Sequence, residues 1–280
     1  MHAQPGVAIS PDTPDRESDH REQHYLPATS FRSRRSALSD AQRKIWERRW
    51  PELGLSVGTP PVGIQEPPLD TLDFKAWFGR QAPVVLEIGC GSGTSTLAMA
   101  REEPDIDVLA VEIYRRGLAQ LLSAIDREQV GNIRLIRGNG IDVLQRLIAP
   151  GSLTGVRVFF PDPWPKARHH KRRFLQPATV GLIVDRLLPG GVLHAATDHA
   201  GYAEHIAEVG MGEPRLRPVD PGDRLPISIV RPTTKYETKA HEAGSAVTEF
   251  IWLKPETGGE QAPNGPSNRP PSRPSNRHSI

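Results

Sequence analysis

From Pro83 onward, short runs rich in Val, Ile and Leu take turns with stretches of helical periodicity: PVVLEIG, TSTLAMAREE, DIDVLAVEI, RRGLAQLLSAIDREQV and NIRLIRG. That order is βαβαβ, and strands separated by helices in this way build a parallel sheet. The pattern continues with VRVFF, a helix from about Pro177 to Leu188, the strand GVLHAAT, a helix around Tyr202 to Val209 and a final strand at TEFIWL. An α/β fold is predicted, with a doubly wound, mostly parallel sheet and helices on both faces. No internal repeat is visible.

The 280 residues, 37% hydrophobic and 24% charged, suffice for one substantial core. Residues 1–30, rich in Pro, Asp, Ser and Arg, lack apolar periodicity, and residues 255–280 hold six prolines among Gly, Ser, Asn and Arg. Both ends are expected to be disordered tails around a domain over 31–254. No apolar run approaches the roughly 20 residues of a membrane span, and the N-terminus has no secretory apolar stretch, so a cytoplasmic protein without membrane contact is expected. The single cysteine, Cys90, rules out an internal disulfide framework and argues against a Cys-based metal site; no metal is expected. The formal net charge of +2 conceals two basic stretches. One carries Arg32, Arg34, Arg35, Arg43, Lys44, Arg48 and Arg49; the other carries Lys166, Arg168, Lys171, Arg172 and Arg173. Such stretches flanking one core point to a polyanion partner.

The segment Glu87-Ile88-Gly89-Cys90-Gly91-Ser92-Gly93-Thr94 leaves a buried-type strand and enters a helix, the place where an open α/β sheet binds nucleotides. Its spacing is G-x-G-x-G rather than the G-x-G-x-x-G of dinucleotide loops, and an acid stands two residues before the first glycine. A pyrophosphate is a poor match for that acid. The sulfonium and ammonium groups of S-adenosylmethionine match it better, which makes Glu87, Gly89, Gly91 and Gly93 cofactor-binding candidates. Glu112 ends the next strand, 19 residues after Gly93, where a carboxylate accepts ribose hydroxyls. Asn139 follows the third strand and is the candidate on the adenine side, with a plain turn residue as its alternative. Cys90 has no activating His or Lys beside it and is read as loop packing.

After the fourth strand comes FFPDPWPKARHHKRRF, residues 159–174. Its three alternate prolines cannot continue a ladder or a helix, so they stiffen a loop that presents Asp162 beside the cofactor turn. Trp164 offers a ring for a purine to stack on, and the basic run beyond covers phosphates. His169 and His170 diverge on a helix and lack acidic or Cys partners at ligand spacing, so they are not read as metal ligands.

This stretch resembles the hallmark of the tRNA (guanine-N7-)-methyltransferase family. The resemblance extends to Leu86–Gly93, to Ala196-Thr197-Asp198 with Tyr202 and Glu204, and to Arg231-Pro232-Thr233-Thr234-Lys235-Tyr236-Glu237, covering about 200 residues in all. It implies a class I, Rossmann-like methyltransferase that moves a methyl group from S-adenosyl-L-methionine to guanine N7 in the variable loop of tRNA. It further implies that Glu87, Glu112, Asn139 and Asp162 bind the cofactor, that Asp162 is also the catalytic carboxylate, and that Lys166, Asp198, Thr234, Lys235, Tyr236 and Glu237 meet the substrate. Arg168, Lys171, Arg172 and Arg173 would hold tRNA phosphates. Two places depart from the family: Asn139 stands where Asp is usual, and Thr238–Gly244 replaces a Gln-Arg-Gly run. Whether the enzyme is a monomer or a homodimer is left open.

The chemistry agrees with the residues. Guanine N7 carries an in-plane lone pair and no proton at neutral pH, so its methylation needs alignment rather than a strong base. Asp162 can accept hydrogen bonds from guanine's donor edge and offset the charge that develops on the base. The bland alternatives are a surface carboxylate at Glu112 and an N-cap at Asp198. Rival functions are an amino-methyltransferase of another macromolecule and a non-catalytic RNA-binding subunit.

Overall fold

The computed structural model describes residues 37–58, 71–232 and 246–256. The expected N-terminal tail, nearly all of the expected C-terminal tail, the basic residues Arg32, Arg34 and Arg35, and the site candidates Thr234, Lys235, Tyr236 and Glu237 lie outside the described residues.

The strands are β1 (Gly54–Ser56), β2 (Val84–Ile88), β3 (Asp107–Glu112), β4 (Ile133–Arg137), β5 (Leu153–Phe159), β6 (Leu187–Thr197), β7 (Arg217–Pro218) and β8 (Thr248–Leu253). The helices are α1 (Asp40–Leu53), α2 (Phe74–Phe78), α3 (Thr94–Glu102), α4 (Arg115–Glu128), α5 (Gly140–Arg146), α6 (Pro177–Arg186) and α7 (Ala200–Met211). Among the described residues the strands form one sheet in the order β1-β4-β3-β2-β5-β6-β8-β7. From β1 to β6 every pairing is parallel, whereas β8 runs antiparallel to β6 and β7 antiparallel to β8. The chain order reverses between β2 and β5, the position at which such sheets open a crevice at their C-terminal edge.

Alternate residues of β3 serve opposite faces. Val108 and Ala110 pack with Leu118, Leu121 and Leu122 of α4 and with Trp46 of α1; Leu109 and Val111 pack with Val143 and Leu144 of α5 and Ile183 and Val184 of α6. The i, i+3, i+4, i+7 spacing of Leu118, Leu121, Leu122 and Ile125 explains why this segment is a helix with one buried stripe.

The basic segment before the sheet is more structured than its charge suggested. Ser39 and Gln42 form a capping box at the start of α1, and Trp46 stacks on Trp50 with ring centroids 3.9 Å apart. Arg48 and Arg49 reach Asp126 of α4 at 2.6 and 3.4 Å, so this part of the expected phosphate arm is docked on the domain through ion pairs. The helix expected to run to Leu188 ends at Arg186: Leu187 is already extended, at φ −69° and ψ 138°, and opens β6, while Pro189 biases Leu188 away from helix.

Candidate active site

Five of the expected positions gather at the C-terminal ends of adjacent parallel strands. In sheet order they are Asn139 after β4, Glu112 at the end of β3, Glu87 near the end of β2, Asp162 after β5 and Asp198 after β6.

The glycine turn between β2 and α3 holds Gly89, Gly91 and Gly93 at φ of 78°, 57° and 75°, the left-handed region that a side chain makes costly. A Cβ at Gly89 or Gly91 would meet open space, so these glycines leave room beside the turn. The turn is fastened to β3 by the Gly89 and Cys90 N–H groups, which donate to Val111 O at 2.8 and 3.1 Å. The Gly91 N–H donates to Glu112 Oε2 at 2.9 Å, while Glu112 Oε1 accepts from the N–H groups of Ile113 and Tyr114 at 2.6 and 2.9 Å. The acid expected to hold ribose therefore also ties the glycine turn to the strand tip, with about one of its roughly four acceptor directions left over.

Glu87 is buried, and its Oε2 meets no hydrogen-bond partner among the described residues. A buried carboxylate oxygen left over at the crevice calls for a donor. The ammonium group of S-adenosylmethionine is such a donor, and this fit is the structural support for that cofactor. Burial pushes the Glu87 carboxyl above its ordinary range, while Arg157 and then the nearby Thr96 hydroxyl act to lower it, although Thr96 makes no well-formed hydrogen bond with it. The half-buried Cys90 thiol is pushed well up by burial and by the negative charges of Glu87 and Glu112, which fits packing rather than nucleophilic chemistry.

Asn139 caps α5: its Oδ1 accepts from the Ile141 N–H at 2.9 Å. The amide NH2 is the part of this side chain left to meet an adenine.

The proline-framed loop is braced from several sides. Phe160 and Trp164, which bracket Asp162, sit at φ of 50° and 43°, a strain of about 1–3 kcal/mol each that the surroundings must hold. The Phe160 N–H donates to Ala196 O of β6 at 2.8 Å. Arg231 lies over the Phe159 and Phe160 rings at 5.4 and 4.9 Å and pairs with Glu249 at 2.8 Å. Arg172 lies over the Trp164 ring at 5.0 Å, with His169 on the same tryptophan at 5.9 Å. Asp162 itself is exposed.

Arg173 corrects an expectation. It is only 4% exposed; its Nε and Nη1 donate to Pro163 O and Gly201 O at 3.0 Å each, and it lies over the Tyr202 ring at 4.9 Å. A guanidinium spent on those carbonyls is drawn inward, away from any phosphate, and it holds the loop beside Asp162 against α7. Tyr202 Oη accepts from the Leu175 N–H at 3.1 Å, and burial raises the phenol to about 12. Lys166, Arg168 and Lys171 remain exposed on or beside the 3-10 helix Ala167–Arg172. The cap alternative for Asp198 also falls: the cap of α7 is His199, whose Nδ1 accepts from the Tyr202 N–H at 3.2 Å, and Asp198 is exposed at the strand end.

Sequence reasoning passed over Gly117, in the first turn of α4. A Cβ there would lie 2.2 Å from the Gly91 carbonyl oxygen. Its signal was an isolated glycine inside the helical pattern RRGLAQLL, which marks a close backbone approach. Among the described residues no group of three or more His, Cys, Asp or Glu could hold a metal ion, and no helix is long and apolar enough to cross a membrane.

The family model described as "Putative methyltransferase" matches residues 81–250. A tRNA (guanine-N(7)-)-methyltransferase of Mycobacterium avium (strain 104) is 76% identical over 254 residues, covering 91% of this chain and 97% of that protein. Proteins of the same name from Mycobacterium leprae (strain Br4923) and Mycobacterium bovis (strain BCG / Pasteur 1173P2) are 70% and 66% identical over 230 and 260 residues. They cover 82% and 91% of this chain, and 98% and 94% of their own lengths. With relatives this similar along almost their whole length, the chain belongs to the tRNA (guanine-N(7)-)-methyltransferase family.

Proposed function

We propose that this chain is an enzyme that methylates N7 of a guanine in the variable loop of tRNA, with S-adenosyl-L-methionine as donor. The observation that carries the reading is the adjacency of two loops: the glycine turn beside the Glu87 oxygen that has no partner among the described residues, and the braced Phe160–Trp164 loop, leave neighbouring parallel strands at one edge of the sheet. When bound, S-adenosylmethionine supplies an electrophilic methyl group that the in-plane lone pair of guanine N7 can take up.

In this reading Glu87 receives the ammonium group, Glu112 the ribose hydroxyls and the Asn139 amide the adenine, while Gly89, Gly91 and Gly93 let the backbone approach. Asp162 accepts hydrogen bonds from guanine's donor edge and offsets the positive charge that appears on the methylated base. No proton needs to leave N7, so orientation is the main demand on the site. A base with adenine's edge would leave Asp162 facing an acceptor, a discrimination worth about 1–3 kcal/mol. Lys166 and Asp198 meet the substrate, with Thr234, Lys235, Tyr236 and Glu237; Arg168, Lys171 and Arg172 meet phosphates, which makes tRNA binding fall steeply with salt. The protein works in the cytoplasm.

The test is to incubate the purified protein with S-adenosylmethionine and unmodified tRNA, reduce with borohydride and treat with aniline, which breaks RNA at N7-methylguanosine. Scission in the variable loop is expected, and Asp162→Ala should abolish it without changing the melting temperature. Methyl incorporation without scission would point to another target atom. Full scission by Asp162→Ala would overturn the assignment of that carboxylate.

A further inference from the structure

Beside Glu87 stands a buried cation that no part of the mechanism has used. Arg157 of β5 is the register partner of Glu87 of β2, so both side chains leave the same face of the sheet. The Arg157 side chain is 0% exposed. Its Nη2 donates to Glu103 Oε2 at 2.6 Å and to Ser228 O at 3.2 Å. Its Nε and Nη1 meet no hydrogen-bond partner among the described residues, and neither does Glu87 Oε2. Leaving two nitrogens of a buried guanidinium idle is costly for the fold, and a cation kept there at that cost should serve a neighbouring charge. With both acids as carboxylates, Glu87 and Glu103 outnumber Arg157, and a cationic ligand group at Glu87 would bring the cluster to neutrality.

We propose that Arg157 is a positioning residue for the cofactor site: from the neighbouring strand, on the same face of the sheet, this guanidinium readies the buried Glu87 for the ammonium group of S-adenosylmethionine. The inference rests on the reading of Glu87 as the cofactor's ammonium acceptor. The groups that face Glu87 are Arg157 from β5, the Cys90 thiol from the glycine turn and the Thr96 hydroxyl from α3, with Glu103 at the end of α3 behind Arg157 and Glu112 of β3 acting on the same Cys90. Of these, Arg157 is the cation. Burial raises the Glu87 carboxyl and Arg157 is the first influence that lowers it. The sign follows: cofactor affinity that needs the carboxylate is present at high pH and fades as pH falls through the Glu87 titration. Without Arg157 that titration moves up, so affinity fades at a higher pH.

The experiment is calorimetric titration with S-adenosylhomocysteine, which carries the same ammonium group, at pH values between about 5 and about 9, with circular dichroism confirming the fold at each. Arg157→Gln should move the acid limb of the affinity profile upward by about 1 pH unit or more while affinity recovers at the alkaline end. Arg157→Lys should lie nearer the parent. Glu103→Gln, which removes the competing acid, should move the limb in the opposite direction, and it serves as the test should Arg157→Gln not fold. A profile unmoved in Arg157→Gln, or one lowered equally at every pH, would overturn the proposal. Glu87→Gln separates the two ideas: parent-like affinity and an unchanged limb in that variant would remove the underlying reading of Glu87. Loss of the limb there with no movement in Arg157→Gln would sink the role of Arg157 alone.

Discussion

Replacing Gly117 with alanine should damage cofactor binding far more than it damages the fold. A Cβ at this position would stand 2.2 Å from the Gly91 carbonyl oxygen and 2.9 Å from its carbon, against roughly 3.3 Å for a close ordinary C···O contact. The two must part by about 1 Å, and since the obstacle is backbone, no rotamer relieves the clash. Helix α4 is the firmer side, because Leu118, Leu121, Leu122 and Ile125 are almost completely buried. The glycine turn is the softer one, held by two hydrogen bonds to Val111 O and one to Glu112. Overpacking of this kind costs about 1–3 kcal/mol, and alanine returns about 1 kcal/mol of helix propensity, so the net loss of stability should be about 0–2 kcal/mol. In a turn proposed to hold the cofactor, a displacement near 1 Å breaks hydrogen bonds worth about 0.5–1.5 kcal/mol each, so the loss of two weakens binding by up to about a hundredfold. Titration with S-adenosylhomocysteine alongside a thermal melt measures both. Gly131→Ala, with open space around its Cβ, is the control and should change neither. Parent-like affinity in Gly117→Ala would refute the reasoning, as would a collapsed melting temperature with unchanged affinity in the protein that stays folded.

The legibility of this molecule in its sequence follows from which interactions are local. Strands β2, β3, β4 and β5 announce themselves because parallel strands covered on both faces become near-continuous apolar runs. The tips of those strands follow from counting along the runs, which makes Glu87, Glu112 and Asp162 legible in the sequence. The antiparallel direction of β8 was not readable, since TEFIWL has the same pattern whichever way it runs, and its pairing with β6 is settled by tertiary contact alone. Charge concealed the packing in two places. In α1, Trp46 and Leu53, seven residues apart, mark the buried stripe, but the four arginines and lysines of the helix, with Arg32, Arg34 and Arg35 before it in the sequence, read as an arm for polyanions. In the run Lys171-Arg172-Arg173 three similar cations have different fates, one exposed, one stacked on Trp164 and one buried under the loop. Nothing local separates them; the separation comes from the carbonyls of Pro163 and Gly201, one of them 28 residues away from Arg173.

Three further outcomes are expected. Asn139→Asp should keep the α5 cap, since Asp caps as well as Asn, and should leave the melting temperature unchanged, whereas Asn139→Ala should lose about 1 kcal/mol in chemical denaturation. Asp223, held at about 2 by hydrogen bonds from Arg217 and the Asp220 N–H, stabilises the fold above the ordinary aspartate range, and that contribution disappears as pH falls toward 2. An NMR titration should find the Asp223 midpoint depressed, and Arg217→Met should return it toward 3.8; a midpoint that ignores the substitution would refute the pairing. The last concerns Arg173, which joins Pro163 of the Asp162 loop to Gly201 of α7 through two charged hydrogen bonds. Such bonds are worth about 1.5–3 kcal/mol each, and Arg173→Lys keeps the charge but cannot span both carbonyls with a planar fork. If Arg173 were a phosphate ligand, the lysine variant would retain most activity and the salt slope of tRNA binding would fall in the alanine variant. As a brace, it gives a different pattern: Arg173→Lys loses turnover with cofactor affinity intact, and the salt slope of tRNA binding stays that of the parent, because the strained turn around Asp162 relaxes while the exposed cations remain in place.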